Sequence, residues 1–450
     1  MRTDLLIRGG RLIDPSQEWD RVGDMFISDG KIVWMGNESD EQSGKDVLII
    51  NADGLVVCPG FIDLHCHLRE PGFEDKETIA SGTAAAARGG FTTVCCMPNT
   101  NPPLDTRSLV DYVRKTAETQ GVVRVLPIGC VTKGRQGKEL VEMLELAESG
   151  VIGFSDDGDP VSSSRVMALA MEYACDLGLP IFDHCDDREF SDGGSMNEGW
   201  LSARLGLKGI PAVAEELVVA RDLSLSELTG ARIHVCHVST AGTMELIRCA
   251  KEKGVAVTAE VTPHHLVLTE DRIMGRQPGK DKQIRYDTNA KVNPPLRTRE
   301  DTEVLTRGLI SGVIDAIATD HAPHTLVDKM CEFESAAFGI SGFETALGSL
   351  MSLVHEDRLS LNILIERLTL APAAILGSKY EGLGTLQCGS VADVILFDPD
   401  REWEVKTDHF ASKGRNTPFD GDQLKGKVVM TIVAGKVVYQ DKSLKTRNKR

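Results

Sequence analysis

Two histidines with a single residue between them are the first sign of chemistry. They lie in Asp63-Leu64-His65-Cys66-His67-Leu68-Arg69-Glu70-Pro71-Gly72. In a strand, residues two apart share a face, so His65 and His67 aim two imidazoles at one point. That arrangement suits a divalent transition ion with a preference for nitrogen, although such a pair alone is as readily a half-buried polar patch. Four further apolar segments end in ligand-type residues: Ser155-Asp156-Asp157-Gly158, Asp183-His184-Cys185, His234-Val235-Cys236-His237 and Thr319-Asp320-His321. Four histidines and two carboxylates suffice for a binuclear centre, in which a bridging carboxylate and a bridging hydroxide would make a nucleophile at neutral pH.

Other residues of the same types read as structural. His234 lies three before His237, so on a strand the two point to opposite faces, and a core role suffices for it. His264 and His265 follow Thr262-Pro263, which reads as the start of a helix or turn. His321 reads as a residue that orients its loop. Cys66, Cys95, Cys96 and Cys236 read as packing beside functional positions.

The elements that must position these residues alternate between strand and helix. Strands are expected at Val56–Leu64, Thr92–Met97, Arg124–Gly129, Ile152–Ser155, Pro180–Asp183, Arg232–His237, Ala256–Val261 and Ile314–Thr319, the number that a closed βα barrel requires. The carboxyl-terminal ends of such strands converge on one mouth, which an open doubly wound sheet would give no reason to line so consistently. Amphipathic helices are expected at Lys138–Glu148 and Ser164–Leu177, and Gly90, Gly150, Gly178 and Gly254 stop helices shortly before the next strand. The two ends of the chain look alike. Leu5–Ile13 and Thr431–Tyr439 are apolar, largely β-branched strand pairs hinged on glycine, with further strands in Met25–Met35 and Val391–Phe397. The expected fold class is therefore α/β: a TIM-type barrel over residues 58–385, inserted in a small β-sandwich-like domain built from 1–57 and 386–450.

The chain has 450 residues, 41% hydrophobic and 26% charged, an ordinary globular composition. Its formal net charge of −17 argues against a nucleic-acid surface and against anionic lipid, though local arginines can still bind an anionic substrate. No apolar run approaches a membrane span, and the start Met1-Arg2-Thr3-Asp4 lacks the apolar core of a signal peptide. The eleven cysteines are scattered and odd in number, so reduced thiols and a cytoplasmic location are expected.

The segment His65–Gly72, together with Met97-Pro98-Asn99-Thr100, Asp320-His321-Ala322-Pro323-His324 and Phe338-Gly339-Ile340, resembles the long bacterial class of dihydroorotases in the amidohydrolase superfamily. The resemblance spans essentially the whole chain. It implies reversible closure of N-carbamoyl-L-aspartate to L-dihydroorotate in pyrimidine synthesis, by attack of a metal-bound hydroxide on the ring amide. It implies zinc, two ions per subunit, with His65, His67 and Asp320 on one, His184 and His237 on the other, and Asp157 between them. Asp320 would also carry the proton as general acid and base. Many relatives in the superfamily bridge their metals with a carbamylated lysine, whereas Gly153-Phe154-Ser155-Asp156-Asp157-Gly158 has none; the family motif favours Asp157 as the bridge, and Asp156 stands as its rival.

Both forms of that substrate carry a carboxylate beside the reacting centre. Arg69 can present a planar fork to it, Asn99 can donate to the same group, and His324 would complete the clamp. By resemblance, His67 also meets substrate, and Asn293 with the backbone at Phe338 and Gly339 reads the ring amides. A homodimer is the expected state, with association with aspartate transcarbamoylase as a further expectation. The loop Thr269–Lys291, rich in charge and glycine, is a candidate to close over substrate. Two other readings compete. A hydantoinase, dihydropyrimidinase or allantoinase would be expected to lack the Arg69–Asn99 clamp and to show the bridging lysine. An inactive scaffold for aspartate transcarbamoylase would be expected to lose metal ligands.

Overall fold

The apolar stretch at the amino end forms one long strand rather than a pair. In the computed structural model, which describes residues 4–36, 47–275, 286–444 and 446–449, β1 runs from Asp4 to Asp14. The glycines bend it without reversing it: Gly9 takes a φ of 70°, and the register shifts between Ile7 and Gly10. β2 (Trp19–Ser28) and β3 (Lys31–Gly36) complete an antiparallel meander, and β4 (Val47–Asn51) and β5 (Val56–Pro59) run parallel to β1.

The expected strand Val56–Leu64 is broken in two. β5 ends at Pro59, which lacks an N–H for the ladder, and β6 (Phe61–Cys66) begins a second sheet. Gly60 sits between them against Thr92, whose Oγ1 would lie 2.2 Å from a Cβ at that position, so only glycine lets the chain pass. Thus one apolar run serves two sheets.

β6, β7 (Phe91–Cys96) and β8 (Arg124–Pro127) form a parallel sheet. β9 (Ile181–Asp183) belongs to another; β10 (Met196–Asn197) and β11 (Gly209–Ile210) are a short parallel pair outside it. The sheet of β9 continues through β12 (Ile233–Val235) and β13 (Val257–Val261) to β14 (Ala316–Ile317), again parallel. Ile152–Ser155 forms no strand, but Phe154 bridges in parallel to Gly129 on one side and to Ile181 on the other. A parallel bridge also pairs Cys66 of β6 with His321, which lies past the end of β14. Ile62, Leu64, Cys95, Met97, Leu126, Ile128 and Phe182 pack on one another, while Phe61, Phe91, Val94 and Ile233 face the helices. Both faces of these strands are buried, as unbroken apolar runs in parallel sheets require.

Helices fill the connections. Ser164–Asp176 forms as its periodicity predicts, capped by Ser163, and Gly178 follows at a φ of 67°. Lys138–Glu148 does not: the helix covers only Met143–Glu148. The residues before it pair with a neighbouring turn instead, through Lys133 N to Glu139 O at 2.8 Å and Val141 N to Val131 O at 3.1 Å, so their backbone is already committed.

The chain returns to the first sheet with β15 (Val394–Glu404), β16 (Gln423–Val433), β17 (Lys436–Gln440) and β18 (Thr446–Lys449). β15 pairs antiparallel with β5 from Val56 to Pro59, so strands from both ends of the chain share one nine-stranded sheet. Residues 405–422, between β15 and β16, leave that sheet and pack on the central unit, where Ser412 donates to Glu77. The eleven cysteines all carry free thiols. No helix among the described residues is long and apolar enough to cross a membrane.

Candidate metal centre

Five side chains from four strand ends meet around the carboxylate of Asp157. His65 closes β6, His67 lies just past it, and Asp157 follows the Phe154 bridge; His184, His237 and Asp320 follow β9, β12 and β14. Asp157 Oδ1 lies 3.4 Å from His65 Nε2, 3.7 Å from His184 Nδ1 and 4.0 Å from His237 Nε2. Its Oδ2 lies 3.7 Å from His67 Nε2. Asp320 Oδ1 stands 2.9 Å from His67 Nε2 and 3.6 Å from His65 Nε2. Ligand atoms of His65, His67 and Asp320 lie within 4.8 Å of one another, as do those of His65, Asp157 and His237.

The fit to divalent metal rests on what these atoms lack. Nε2 of His65, Oδ1 of Asp157 and Nδ1 of His237 are buried and have no hydrogen-bond partner among the described residues. Buried polar atoms are nearly always paired, so the orphaned His65 Nε2 and Asp157 Oδ1, 3.4 Å apart among four imidazoles and two carboxylates, suit cations that the chain alone does not supply. Burial and the imidazoles of His184 and His65 push His237 down to about 3, leaving a neutral ring with a free lone pair. Against burial, His65, His67 and His184 hold Asp157 well below the usual carboxylate range. Strain marks the same place: His237 and Asp320 have φ values of 35° and 45°, and Arg69 one of 64°.

The structure separates the two rival aspartates. Asp156 turns away from the histidines; its Oδ1 accepts from Val131 N at 2.8 Å and Thr132 N at 3.1 Å, and Thr132 Oγ1 donates to its other oxygen. Asp157 alone of the pair reaches the cluster.

The asparagines do more than their sequence reading assigns. Asn99 Oδ1 accepts from His67 Nδ1 at 2.9 Å, while its Nδ2 donates to Asp157 Oδ2 at 2.9 Å. Asn293 Nδ2 donates to His184 Nε2 at 3.2 Å. Asn99 thus leaves His67 Nε2 without a proton and aimed at the cluster, while Asn293 holds the His184 ring with Nδ1 toward Asp157. Both also line a cavity of about 220 Å³ above it, together with His67, Arg69, His324, Phe338 and Gly339. All seven residues expected to meet substrate thus border one space.

Arg69 is half-buried there, with no carboxylate in ion-pair range among the described residues. Its Nε donates to Pro323 O at 3.2 Å, and its Nη2 lies 3.3 Å from His324 Nε2. Burial pushes the guanidinium down to about 10, still charged at neutral pH. Gly339 closes the wall at a φ of 137°; a Cβ would come 2.7 Å from that of Ala322.

Residues 54–243 match the family model described as Dihydro-orotase-like. A dihydroorotase from Pelotomaculum thermopropionicum is 49% identical over 446 residues, covering 98% of this chain and all of the relative. One from Geobacter sp. (strain M21) is 47% identical over 437 residues, 97% of this chain and 99% of its own. The chain belongs to the dihydroorotase family. Among solved structures, an L-hydantoinase (dihydropyrimidinase) from Arthrobacter aurescens matches with a TM-score of 0.85 at 26% identity, covering 100% of this chain and 98% of the other. A dihydropyrimidinase from Brevibacillus agri shares the fold, with a TM-score of 0.82 at 23% identity over 98% of this chain and 96% of the other. The dihydroorotase-family chain is thus an α/β cyclic amidohydrolase.

Several residues of this dihydroorotase-family site escaped the sequence reading. Glu260, fully buried in β13, accepts from His65 Nδ1 at 3.0 Å and from His234 Nε2 at 3.1 Å. It fixes the ring that presents Nε2 to the cluster, and gives His234 a defined part in that support. An acidic residue inside an apolar strand is the signal that could have found it. His265 is structural as expected, with Thr262 Oγ1 and Pro294 O on its two ring nitrogens. His264 is not its equal: it is buried, its Nε2 has no partner among the described residues, and burial with His265 and His237 nearby holds it well below the usual range. His321 stacks on Phe343 and takes a hydrogen bond from Gly342 N at 3.1 Å, the orienting role expected of it. From the far end of the chain, Asn416 accepts from His324 N at 2.9 Å and donates to Ala322 O and Gly339 O at 2.9 and 3.0 Å. In the loop Thr269–Lys291, residues 276–285 lie outside the described ones, so its proposed closure is not addressed.

Proposed function

We propose that this chain interconverts N-carbamoyl-L-aspartate and L-dihydroorotate, with the cavity over Asp157 as its active site. The observation that carries this reading is the half-buried guanidinium of Arg69, which makes no ion pair among the described residues and opens onto that cavity. Dihydroorotate carries a carboxylate beside its ring amide, while hydantoin and dihydrouracil carry none, so a guanidinium on the cavity wall with no ion-pair partner selects the first. The absence of a lysine in Gly153–Gly158 supports the same choice.

The scaffold in this proposal is a closed eight-strand βα barrel, 58–385, with the terminal sheet as a second unit from 1–57 and 386–450. The bridges through Phe154 and between Cys66 and His321 support the closure. Two zinc ions are the cofactor, held by His65, His67 and Asp320 and by His184 and His237, with Asp157 shared. When bound, they supply Lewis-acid polarisation of the amide oxygen and a water of lowered pKa. The chain's own residues do the rest. Asp320 carries a proton on its carboxylate oxygen from the attacking water to the departing ring nitrogen, and returns it in the reverse direction. Arg69 grips the substrate carboxylate as a fork, with His324 and an N–H of Asn99 beside it. Asn293 and the backbone at Phe338 and Gly339 receive the ring amides, fixing which carbonyl faces Asp157. We further propose a cytoplasmic homodimer, able to associate with aspartate transcarbamoylase.

Assaying dihydroorotate beside hydantoin, dihydrouracil and allantoin tests the reading. Turnover of dihydroorotate, abolished by chelation and restored by zinc, is expected; failure to open that ring while opening another would overturn it. Arg69→Met should raise KM for dihydroorotate by about a hundredfold, the loss of a charge-assisted bidentate contact, with metal content unchanged.

A further inference from the structure

The substrate-facing wall is made of irregular chain, and irregular chain leaves carbonyls without partners. Two such stretches line the cavity: 288–293, ending in Asn293, and 333–339, ending in Phe338 and Gly339. They touch directly at one backbone hydrogen bond, Gly339 N to Lys291 O at 2.9 Å. Ala290, Val292, Phe333 and Ile340 pack beneath them in one apolar cluster.

We propose that Lys329 is a positioning residue for substrate, its ammonium binding the two stretches into one rigid wall. The side chain is 4% exposed, and Nζ donates to Thr288 O at 3.1 Å, Lys291 O at 3.2 Å and Ala337 O at 2.6 Å. An ammonium has three protons, and here each has a carbonyl. No carboxylate among the described residues lies within ion-pair range of it, and the hydrogen bonds it makes all go to backbone carbonyls. Burial and Lys291 push the group down to about 7, against the opposing influence of Asp287, Cys331 and Asp328.

Its place in the chain gives this tie its meaning. Lys329 ends the short helix Leu326–Lys329, whose cap Thr325 directly follows His324. His324 in turn meets Arg69 Nη2 at 3.3 Å and Phe338 O at 2.8 Å. The helix is thus anchored on the carboxylate-binding side, and Lys329 reaches from it to the amide-binding side. A second lysine reinforces the seam: Lys291 Nζ donates to Glu334 O at 2.8 Å and lies 4.4 Å from the centre of the Phe338 ring. Lys329 touches neither Asp157 nor the five residues around it, so it governs where substrate sits rather than the metal centre.

This inference rests on the dihydroorotase reading, and its test separates the two. Lys329→Met removes every donor at similar length, and Lys329→Gln retains an amide donor. KM for dihydroorotate should rise about tenfold in the Met variant and by an intermediate factor in the Gln variant, with kcat within about threefold and zinc content unchanged. Hydrogen–deuterium exchange should quicken in 286–293 and 333–340 and not around His65 or His237. Unchanged KM in both variants, a loss of zinc, or failure of both variants to fold would overturn the positioning role. If the wild-type chain opens no dihydroorotate, the functional reading fails instead.

Discussion

Exchanging the carboxylate of Glu260 for an amide would isolate one hydrogen bond of the metal centre. Glu260 Oε1 accepts from His65 Nδ1, and that bond selects which ring nitrogen faces Asp157. Glu260→Gln should weaken zinc affinity about 10- to 100-fold, the usual effect of losing a ligand's hydrogen-bond support, as measured by competition with a chromophoric chelator. The aspartate pair allows a cleaner separation. Asp157→Ala should empty the site of metal in elemental analysis while leaving the thermal midpoint of the metal-free protein nearly unchanged. Asp156→Ala should do the reverse, retaining metal but costing about 2–4 kcal/mol, because the buried N–H groups of Val131 and Thr132 lose their acceptor. These contrasts also show what residue types reveal by themselves. His65, His67, His184, His237 and Asp320 stand out because ligand-type residues at apolar strand ends are expensive without a purpose. Asp156 and Asp157 are chemically equal in sequence, and only the turn after Phe154 decides which one faces inward.

At the scale of elements, Glu344 couples a helix to the excursion between β15 and β16. Its Oε1 accepts from Ala411 N at 2.7 Å and Ser412 N at 3.2 Å, and Arg88 Nε lies 3.3 Å from Oε2. Burial pushes its carboxyl up to about 7 from 4.5, despite Arg88. The folded chain then keeps a proton that the unfolded chain releases above pH 4.5. This group therefore lowers stability as pH rises from about 4.5 to about 7, by up to about 3 kcal/mol, and adds no further slope above that. Denaturant midpoints across pH 5–8 should show a shallower fall in Glu344→Gln than in the parent. The elements were legible where one periodicity served one purpose, as in Ser164–Asp176. They were misread where two demands met. Val56–Leu64 is a single apolar run that two sheets divide at Gly60, and Lys138–Val141 has helical spacing but spends its backbone on a turn. Ile152–Ser155 is too short for a ladder and survives as a single bridge on each side. Glu260 lies three residues before Pro263, in a strand whose partners are set only by the assembled sheets.

For the molecule as a whole, the long-range ties around the cavity matter most, and they are the least visible in sequence. Nothing near residue 416 suggests that its amide would sit behind His324 and Gly339. Asn416→Ala leaves one N–H and two carbonyls there without their partner; KM for dihydroorotate should rise about tenfold with metal content unchanged, measured by initial rates beside elemental analysis. The pairing of β5 with β15 has a consequence of another kind, in the order of synthesis. A ribosome makes Asp157 and the five residues around it before it makes either β15 or Asn416. Until those arrive, β5 has no antiparallel neighbour and the wall at Gly339 no backing, so a nascent chain can hold a full set of metal ligands and still be unable to grip a substrate. Activity should therefore switch on late, as the last part of the chain clears the exit tunnel, rather than grow in step with the barrel strands.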